Sequence, residues 1–120
     1  MLKLVFCCRR RPELDPEEFR RYWLDRHGAL VRSLRGALPM MRRYVQSHTL
    51  SGPANDAIRA SRGSQEPYDG ITEVWFDSLE AMGGSTEAAL AAGQRLLEDE
   101  RSFIDLPNSS VFLTEEHEIF

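Results

Sequence analysis

The segment of residues 15–38 carries the strongest structural signal in the sequence. Asp15 can cap a helix, Pro16 suits the first helical position, and Glu18, three residues after the cap, completes a capping box. Because a helix has 3.6 residues per turn, side chains four positions apart lie on one face. Three rings follow the cap at this spacing: Phe19, Trp23 and His27. The segment therefore predicts a long helix whose inward face carries two aromatic rings and one titratable imidazole.

A glycine directly follows the imidazole. In a helix interior, glycine is roughly 1 kcal/mol less favourable than alanine. Gly28 therefore predicts either a kink or a close approach by another backbone or a ligand. Gly36 and Pro39 mark the end of the segment.

Four strand-like segments and a second helix complete the pattern. In chain order, the predicted strands are residues 2–9, 40–49, 70–76 and 111–120, and the predicted helices are residues 15–38 and 85–103, the second opened by Ser85. The order β-α-β-β-α-β in one domain, residues 1–120, is the ferredoxin-like arrangement of the α+β class. We therefore expect a four-stranded antiparallel sheet with both helices on one face.

Two helices cover only one face of such a sheet. Apolar side chains on the opposite face predict a partner sheet, most simply from a second copy of the chain. The residues expected on that face include Val5, Val45 or Tyr44, and Trp75 or Phe76. The pattern thus predicts a homodimer.

Residues 50–69 lack a periodic apolar pattern. A loop of this length in a compact domain is usually a lid, a binding loop or a disordered segment. We expect this loop either to cover a pocket or to be mobile.

Charge and hydropathy exclude two classes of partner. The formal net charge is −4, with acidic and basic residues interspersed, whereas nucleic-acid binding needs a basic face. No apolar run approaches the length that crosses a bilayer, and the N-terminal apolar stretch is too short for a signal peptide. We expect a cytoplasmic protein that binds neither nucleic acid nor membrane.

The cysteines and histidines do not indicate a metal site. Cys7 and Cys8 are adjacent in a predicted strand, where their side chains point to opposite faces, so we expect two free thiols. The three histidines, His27, His48 and His117, lie on different elements without metal-ligand spacing. We therefore expect neither a metal nor a cofactor.

Several motifs spread over nearly the whole chain resemble one family. They are the residues 15–19 leading to Trp23 and His27-Gly28, then residues 43–48, 67–70, 73–78, 99–103 and 112–117. In combination they resemble the EthD domain family (ethyl tert-butyl ether degradation) of the dimeric α/β-barrel superfamily. The resemblance implies a ferredoxin-like fold whose two copies pack sheet to sheet into a barrel, with a pocket between the sheet and the helices of each subunit.

The resemblance implies a range of activities. Relatives in the superfamily include cofactor-free monooxygenases, lactone isomerases, polyketide cyclases, decarboxylases or dehydratases, and haem enzymes, so the fold alone does not select a reaction. The first hypothesis is a cofactor-independent enzyme, of the oxidoreductase or the isomerase, cyclase or decarboxylase type. Its substrate would be a small, hydrophobic, oxygenated compound of aromatic or polyketide type. The alternative is a non-catalytic dimeric accessory protein that binds such a compound, or an oxygenase, in a degradative pathway.

Two residues are the catalytic candidates. A resemblance to methylmuconolactone isomerase within this superfamily implies that His27 and Tyr44 match its active-site histidine and tyrosine, although Val74 stands where that pattern has a cysteine. His27 is interpreted either as a core histidine that donates to a backbone carbonyl or as a general acid–base. Tyr44 is interpreted either as a wall residue or as a hydrogen-bond donor to a substrate oxygen.

Six further residues are predicted to line the pocket. They are Tyr22, Trp23, Gln46, His48, Thr72 and Glu73. Glu73 is a carboxylate inside an apolar strand, which requires either a partner or a raised pKa. An ion pair with Arg43 or another basic residue is one interpretation, and acid–base chemistry is the other.

Overall fold

A computed structural model describes residues 1–83 and 86–120. Its strands are β1 (Leu2–Cys8), β2 (Arg43–His48), β3 (Gly70–Phe76) and β4 (Ser110–Glu115). Its helices are α1, which joins Pro16–Arg21, Tyr22–His27 and Gly28–Ser33, then α2 (Pro53–Arg62), α3 (Leu79–Met82) and α4 (Glu87–Phe103). Short 3₁₀ turns occupy Arg35–Ala37 and Leu106–Asn108.

The sheet confirms the predicted fold class. All strand pairs are antiparallel, and the spatial order is β2-β3-β1-β4. The chain therefore has the ferredoxin-like α+β fold, with β1 and β3 in the centre of the sheet. The third strand matches its predicted bounds, whereas β2 begins at Arg43 and β4 ends at Glu115, inside the predicted segments.

The caps of the two long helices follow from local sequence. The capping box of α1 is present, because the Glu18 backbone N–H donates to the Asp15 carboxylate at 2.8 Å and the Asp15 N–H donates back to Glu18. At α4, the Thr86 hydroxyl accepts from the Ala89 N–H at 3.0 Å. Ser85, the residue predicted to open this helix, lies outside the described residues.

The prediction of an irregular loop at residues 50–69 is wrong. The ten-residue helix α2 occupies its centre, begun by Pro53 at the first helical position and ended by Gly63 in the left-handed conformation. Three alanines favour this helix. Ala54, Ala57 and Ile58 also have helical spacing, a short apolar period that the loop prediction overlooked. None of its residues is buried, and none lines the cavities described below.

The strand register decides which side chains face the helices. Tyr44, Val74 and Leu4 are direct neighbours across β2, β3 and β1, and all three face α1 and α4. The alternate residues Val45 and Trp75 therefore lie on the outer face. The sequence left two alternatives for the outer face, Val45 or Tyr44 and Trp75 or Phe76. The register assigns Val45 and Trp75 to the outer face and Tyr44 and Phe76 to the inner face.

The core between α1, α4 and the sheet is built on aromatic rings. Phe19, Trp23 and Phe103 are at most 1% exposed, and the Phe19 centroid lies 5.4 Å from that of Trp23 and 5.7 Å from that of Phe103. Gly70 of β3 lies against the Trp23 ring, where an added Cβ would come within 2.2 Å of a ring carbon. The predicted inward line of α1 is thus confirmed, and its third member, His27, is 4% exposed.

The two cysteines are free thiols on opposite sides of β1. Cys8 is fully buried in the aromatic core, and burial raises the pKa of its thiol to about 12. A thiol that stays protonated at neutral pH has a packing role.

Candidate functional site

A π-helical stretch of α1, Tyr22–His27, places the imidazole. The Trp23 carbonyl accepts from the Gly28 N–H five residues later and also from the Gln46 side-chain amide at 2.9 Å. A wide turn of this kind is rare in helices and is frequent at functional sites. The hydrogen bond from Gln46 to the Trp23 carbonyl links the middle of α1 to strand β2 beside the imidazole.

The glycine after the imidazole is not required by close packing. A Cβ added at Gly28 would lie 3.6 Å from the Trp23 carbonyl oxygen and 3.7 Å from the Gln46 amide nitrogen, which are ordinary contacts. Packing against the rest of the protein therefore does not require glycine here, and Gly28 lines the outer groove described below, where the close approach of a ligand stays a prediction. The chain offers space for a methyl group at this position.

Asp99 of α4 holds the imidazole in one tautomer. Its carboxyl group accepts from the His27 Nδ1–H at 2.8 Å and from the Tyr22 hydroxyl. With Nδ1 as donor, the lone pair of Nε2 is free to accept a proton. His27, Asp99 and Tyr22 thus form a partly buried network between α1 and α4, in which Tyr22 supports the site without lining the cavity.

Glu100, next along α4, faces the free nitrogen. Its Oε2 lies 3.9 Å from His27 Nε2, beyond hydrogen-bond distance, so the Nε2 lone pair is not consumed. Burial, and secondarily the neighbouring Asp99 charge, raise the pKa of Glu100 to about 7. Burial also lowers the pKa of His27, an effect that Asp99 partly offsets. At neutral pH the site therefore combines a neutral imidazole with a carboxyl group close to half protonation.

The two groups open into an inner cavity of about 90 Å³ between the helices and the sheet. Its walls are otherwise mostly apolar and include Leu4, Phe6, Trp23, Val31, Met41, Tyr44, Thr72, Val74, Leu96 and Ile104. Of the predicted pocket residues, Trp23 and Thr72 line this cavity together with the catalytic candidates His27 and Tyr44.

A hydrogen-bonded chain on β2 orients the phenol of Tyr44. The Gln46 amide donates to the Tyr44 hydroxyl oxygen at 3.2 Å, and the Gln46 carbonyl oxygen lies 2.9 Å from His48 Nε2. His48 stacks on Trp23 with centroids 4.4 Å apart, so it supports Gln46 and does not line the inner cavity. Burial raises the pKa of Tyr44, which keeps its hydroxyl protonated and able to donate.

An outer groove of about 470 Å³ lies beside the inner cavity, between α1 and β2. Three residues, Val31, Met41 and Tyr44, line both spaces. The remaining lining is partly cationic: Leu24, Gly28, Arg32, Arg35, Leu38, Arg42, Arg43 and Gln46. The inner cavity thus borders an outer space that reaches solvent along the edge strand.

Glu73 does not belong to the site. It lies on the outer face of the sheet, where its carboxylate pairs with the Lys3 ammonium group at 2.8 Å. The register explains this, because Glu73 alternates with the inward residues Thr72 and Val74. The ion-pair interpretation is correct, although the partner is Lys3, while Arg43 lies over the Trp75 ring.

Two site residues, Asp99 and Glu100, were missed as candidates. Both fall among the apolar positions of α4, three or four residues from Leu96 and Phe103. Acidic side chains at such positions require partners when buried. That spacing is a usable signal, but it does not identify His27, which is 72 residues away, as the partner.

The comparison with protein families decides the identity. The EthD domain matches residues 11–107, most of the chain. The chain belongs to the EthD family. No curated protein matches the sequence.

Solved structures agree with this assignment at the level of the fold. An EthD family protein from Bacillus halodurans is 19% identical, with a TM-score of 0.62 over 98% of this chain and 99% of that chain. An EthD-like protein from Ralstonia eutropha is 19% identical, with a TM-score of 0.56 over 95% and 90%. A dimeric ferredoxin-like protein of unknown function from Thermobifida fusca is 11% identical, with a TM-score of 0.61 over 96% and 90%.

Within residues 1–83 and 86–120, no group of three or more His, Cys, Asp or Glu side chains is arranged to hold a metal ion. Among the helices described here, none is long and apolar enough to cross a membrane.

Proposed function

We propose that this EthD protein is an acid–base enzyme that moves a proton on a carbon next to a carbonyl, or on the equivalent position of a phenol or enol, in a small, mainly apolar compound. The observation that carries the proposal is the neutral imidazole of His27, fixed by Asp99 on one nitrogen and facing Glu100 and an apolar cavity with the other. A positioned base and acid of this kind typically contribute 10²–10⁴-fold to a proton-transfer rate, roughly.

The proposed step uses the cavity residues as follows. The Nε2 lone pair of His27 takes a proton from the carbon, the C–H electron pair forms a C=C bond, and the carbonyl π electrons move to oxygen. Tyr44 donates a hydrogen bond to that oxygen, and Asp99 stabilises the imidazolium. Protonated Glu100 then returns a proton to the oxygen or to another carbon of the conjugated enolate, so one proton leaves the substrate and one enters. Transfer of the imidazolium proton from Nε2 to the Glu100 carboxylate, whose Oε2 lies 3.9 Å away, restores both groups to their starting states. The step conserves electrons and needs no oxidant or reductant.

The size of the inner cavity limits what reacts there. Its volume of about 90 Å³ compares with roughly 150 Å³ for an engineered cavity that binds benzene, and with about 30 Å³ per water in the liquid. The cavity is therefore smaller than one that holds a benzene ring, and it admits a carbonyl and its neighbouring carbons. The rest of a larger substrate, including an aromatic ring, would lie in the outer groove.

Deuterium exchange tests this proposal without knowledge of the natural substrate. The probe is 2-heptanone in D₂O, and the measurement is the loss of the proton signals next to its carbonyl by NMR. We expect saturable, protein-dependent exchange that His27→Gln abolishes and that Glu98→Gln, a substitution at an exposed position of the same helix, leaves unchanged. Binding of the ketone without exchange above buffer would contradict the enzyme and favour a non-catalytic binding protein.

We further propose that the protein is a homodimer that buries the outer face of the sheet. This face carries apolar side chains of β1 to β4, including Val5, Val45, Ile71 and Phe112, of which Ile71 is 37% and Phe112 46% exposed. Contiguous apolar surface on a sheet favours a partner. Sedimentation at micromolar concentration tests this, and a monomer there would contradict it.

A further inference from the structure

The outer groove lies beside the inner cavity and carries uncommitted positive charge. Val31, Met41 and Tyr44 line both spaces, so a molecule whose reacting end contacts His27 would reach the groove by passing between these side chains. Four arginines line the groove: Arg32, Arg35, Arg42 and Arg43. The remaining lining residues are uncharged.

Two of these arginines are already engaged. Arg42 donates two hydrogen bonds to the Asp77 carboxylate, at 2.6 and 3.0 Å, and the Arg43 guanidinium lies 4.7 Å from the Trp75 ring centroid. In the part of the chain that the structure describes, Arg32 and Arg35 form no ion pair. Arg32 lies in the last turn of α1 and Arg35 opens the 3₁₀ turn that follows it, and both residues line the groove.

We propose that the groove binds an anionic group at the far end of the substrate, with Arg32 and Arg35 as specificity-determining residues. This inference rests on the proposed function and narrows its substrate class to a compound with a small enolisable end and an oxyanion tail. The guanidinium group presents a planar fork of donors that matches the oxygens of carboxylate and phosphate. The anchored tail would orient the reacting end toward His27.

Calorimetric titration with matched ketones tests the inference. The probes are 6-oxoheptanoate, its neutral amide 6-oxoheptanamide, and 5-oxohexyl phosphate. We expect the carboxylate to bind at least about tenfold more tightly than the amide at low salt. Raising the salt concentration should reduce this ratio, because the groove is open to solvent.

The variant for this test is the double substitution Arg32→Gln with Arg35→Gln. Both side chains are exposed, so the fold should persist, and a thermal unfolding curve checks this. We expect the double variant to reduce the carboxylate preference to less than about threefold. The matched control is Arg62→Gln, which removes an arginine of α2 outside the groove and should retain the preference.

Each outcome of the titration has a defined meaning. Tighter binding of the phosphate assigns the tail to phosphates, and tighter binding of the carboxylate assigns it to carboxylates; both support the groove if they depend on the two arginines. Equal affinity for acid and amide, or a preference that survives in the double variant, would overturn the inference. Because the readout is heat of binding, arginine-dependent binding without deuterium exchange would contradict the proposed enzyme alone.

Discussion

Replacement of Glu100 by Gln should stabilise the protein, and the gain in the free energy of unfolding should be larger at alkaline than at acidic pH. The pKa of Glu100 is about 7 in the folded protein, against an ordinary value of 4.5 in the unfolded chain. Between these pH values the folded protein retains a proton that the unfolded chain has released, so the ionisation of Glu100 lowers stability as pH rises. This contribution is nearly absent below pH 4.5 and complete above pH 7.

The size of the effect follows from the same two values. A pKa difference of about 2.5 corresponds to roughly 3 kcal/mol at about 1.36 kcal/mol per pH unit. The side chain is only 22% exposed, so solvent relieves little of this penalty. A neutral glutamine of the same shape avoids the penalty. We therefore expect Glu100→Gln to raise the free energy of unfolding by up to about 3 kcal/mol at pH 8 and by less than about 1 kcal/mol at pH 5.

The assay is urea unfolding followed by tryptophan fluorescence at pH 5 and pH 8, at one protein concentration. Wild type, Glu100→Gln and the exposed control Glu98→Gln are compared at each pH. The control should show no comparable gain, since Glu98 is exposed. A Glu100→Gln variant with the same stability difference from wild type at both pH values would refute the raised pKa and the burial on which it depends.

Three further predictions follow from the same contacts. Asp99→Asn should lower stability by about 2 kcal/mol, because the Tyr22 hydroxyl and the His27 ring use different oxygens of Asp99 and asparagine keeps only one of them. The same variant should slow ketone exchange, and both effects are measured, by urea unfolding and by NMR. Gly70→Ala should destabilise the protein by at least about 2 kcal/mol, since its methyl group meets the Trp23 ring and cannot be accommodated. Gly28→Ala is the matched control and should be tolerated; thermal unfolding of the two variants checks both expectations. The plot of exchange rate against pH should be bell-shaped. The rate should fall at low pH as His27, whose pKa is lowered, becomes protonated, and it should fall above about pH 7 as Glu100 loses its proton. Glu100→Gln should remove the fall at alkaline pH.

Local sequence rules predicted the elements that local interactions decide. The capping box of α1, the inward position of His27 and the bounds of β3 each depend on residues within one or two turns of chain. Helix α2 was missed because its apolar period is short, with Ala54, Ala57 and Ile58 as its members, and none of its residues is buried.

The site itself depended on contacts that pattern analysis does not supply. The imidazole and its carboxylate are 72 residues apart, and only the packing of α1 on α4 brings them together. Likewise, β3 has apolar side chains on both faces, so the alternation of its residues could not show which face packs against the helices. This is why Glu73 was predicted in the pocket, whereas the register places it on the outer face.

The rate of deuterium incorporation into 2-heptanone tests the central claim most directly, with wild type and His27→Gln at the same concentration. The account predicts that wild type exceeds the variant by about 10²-fold or more, while both bind the ketone with similar affinity. Equal exchange rates in two folded proteins would contradict the assignment of His27 as the base.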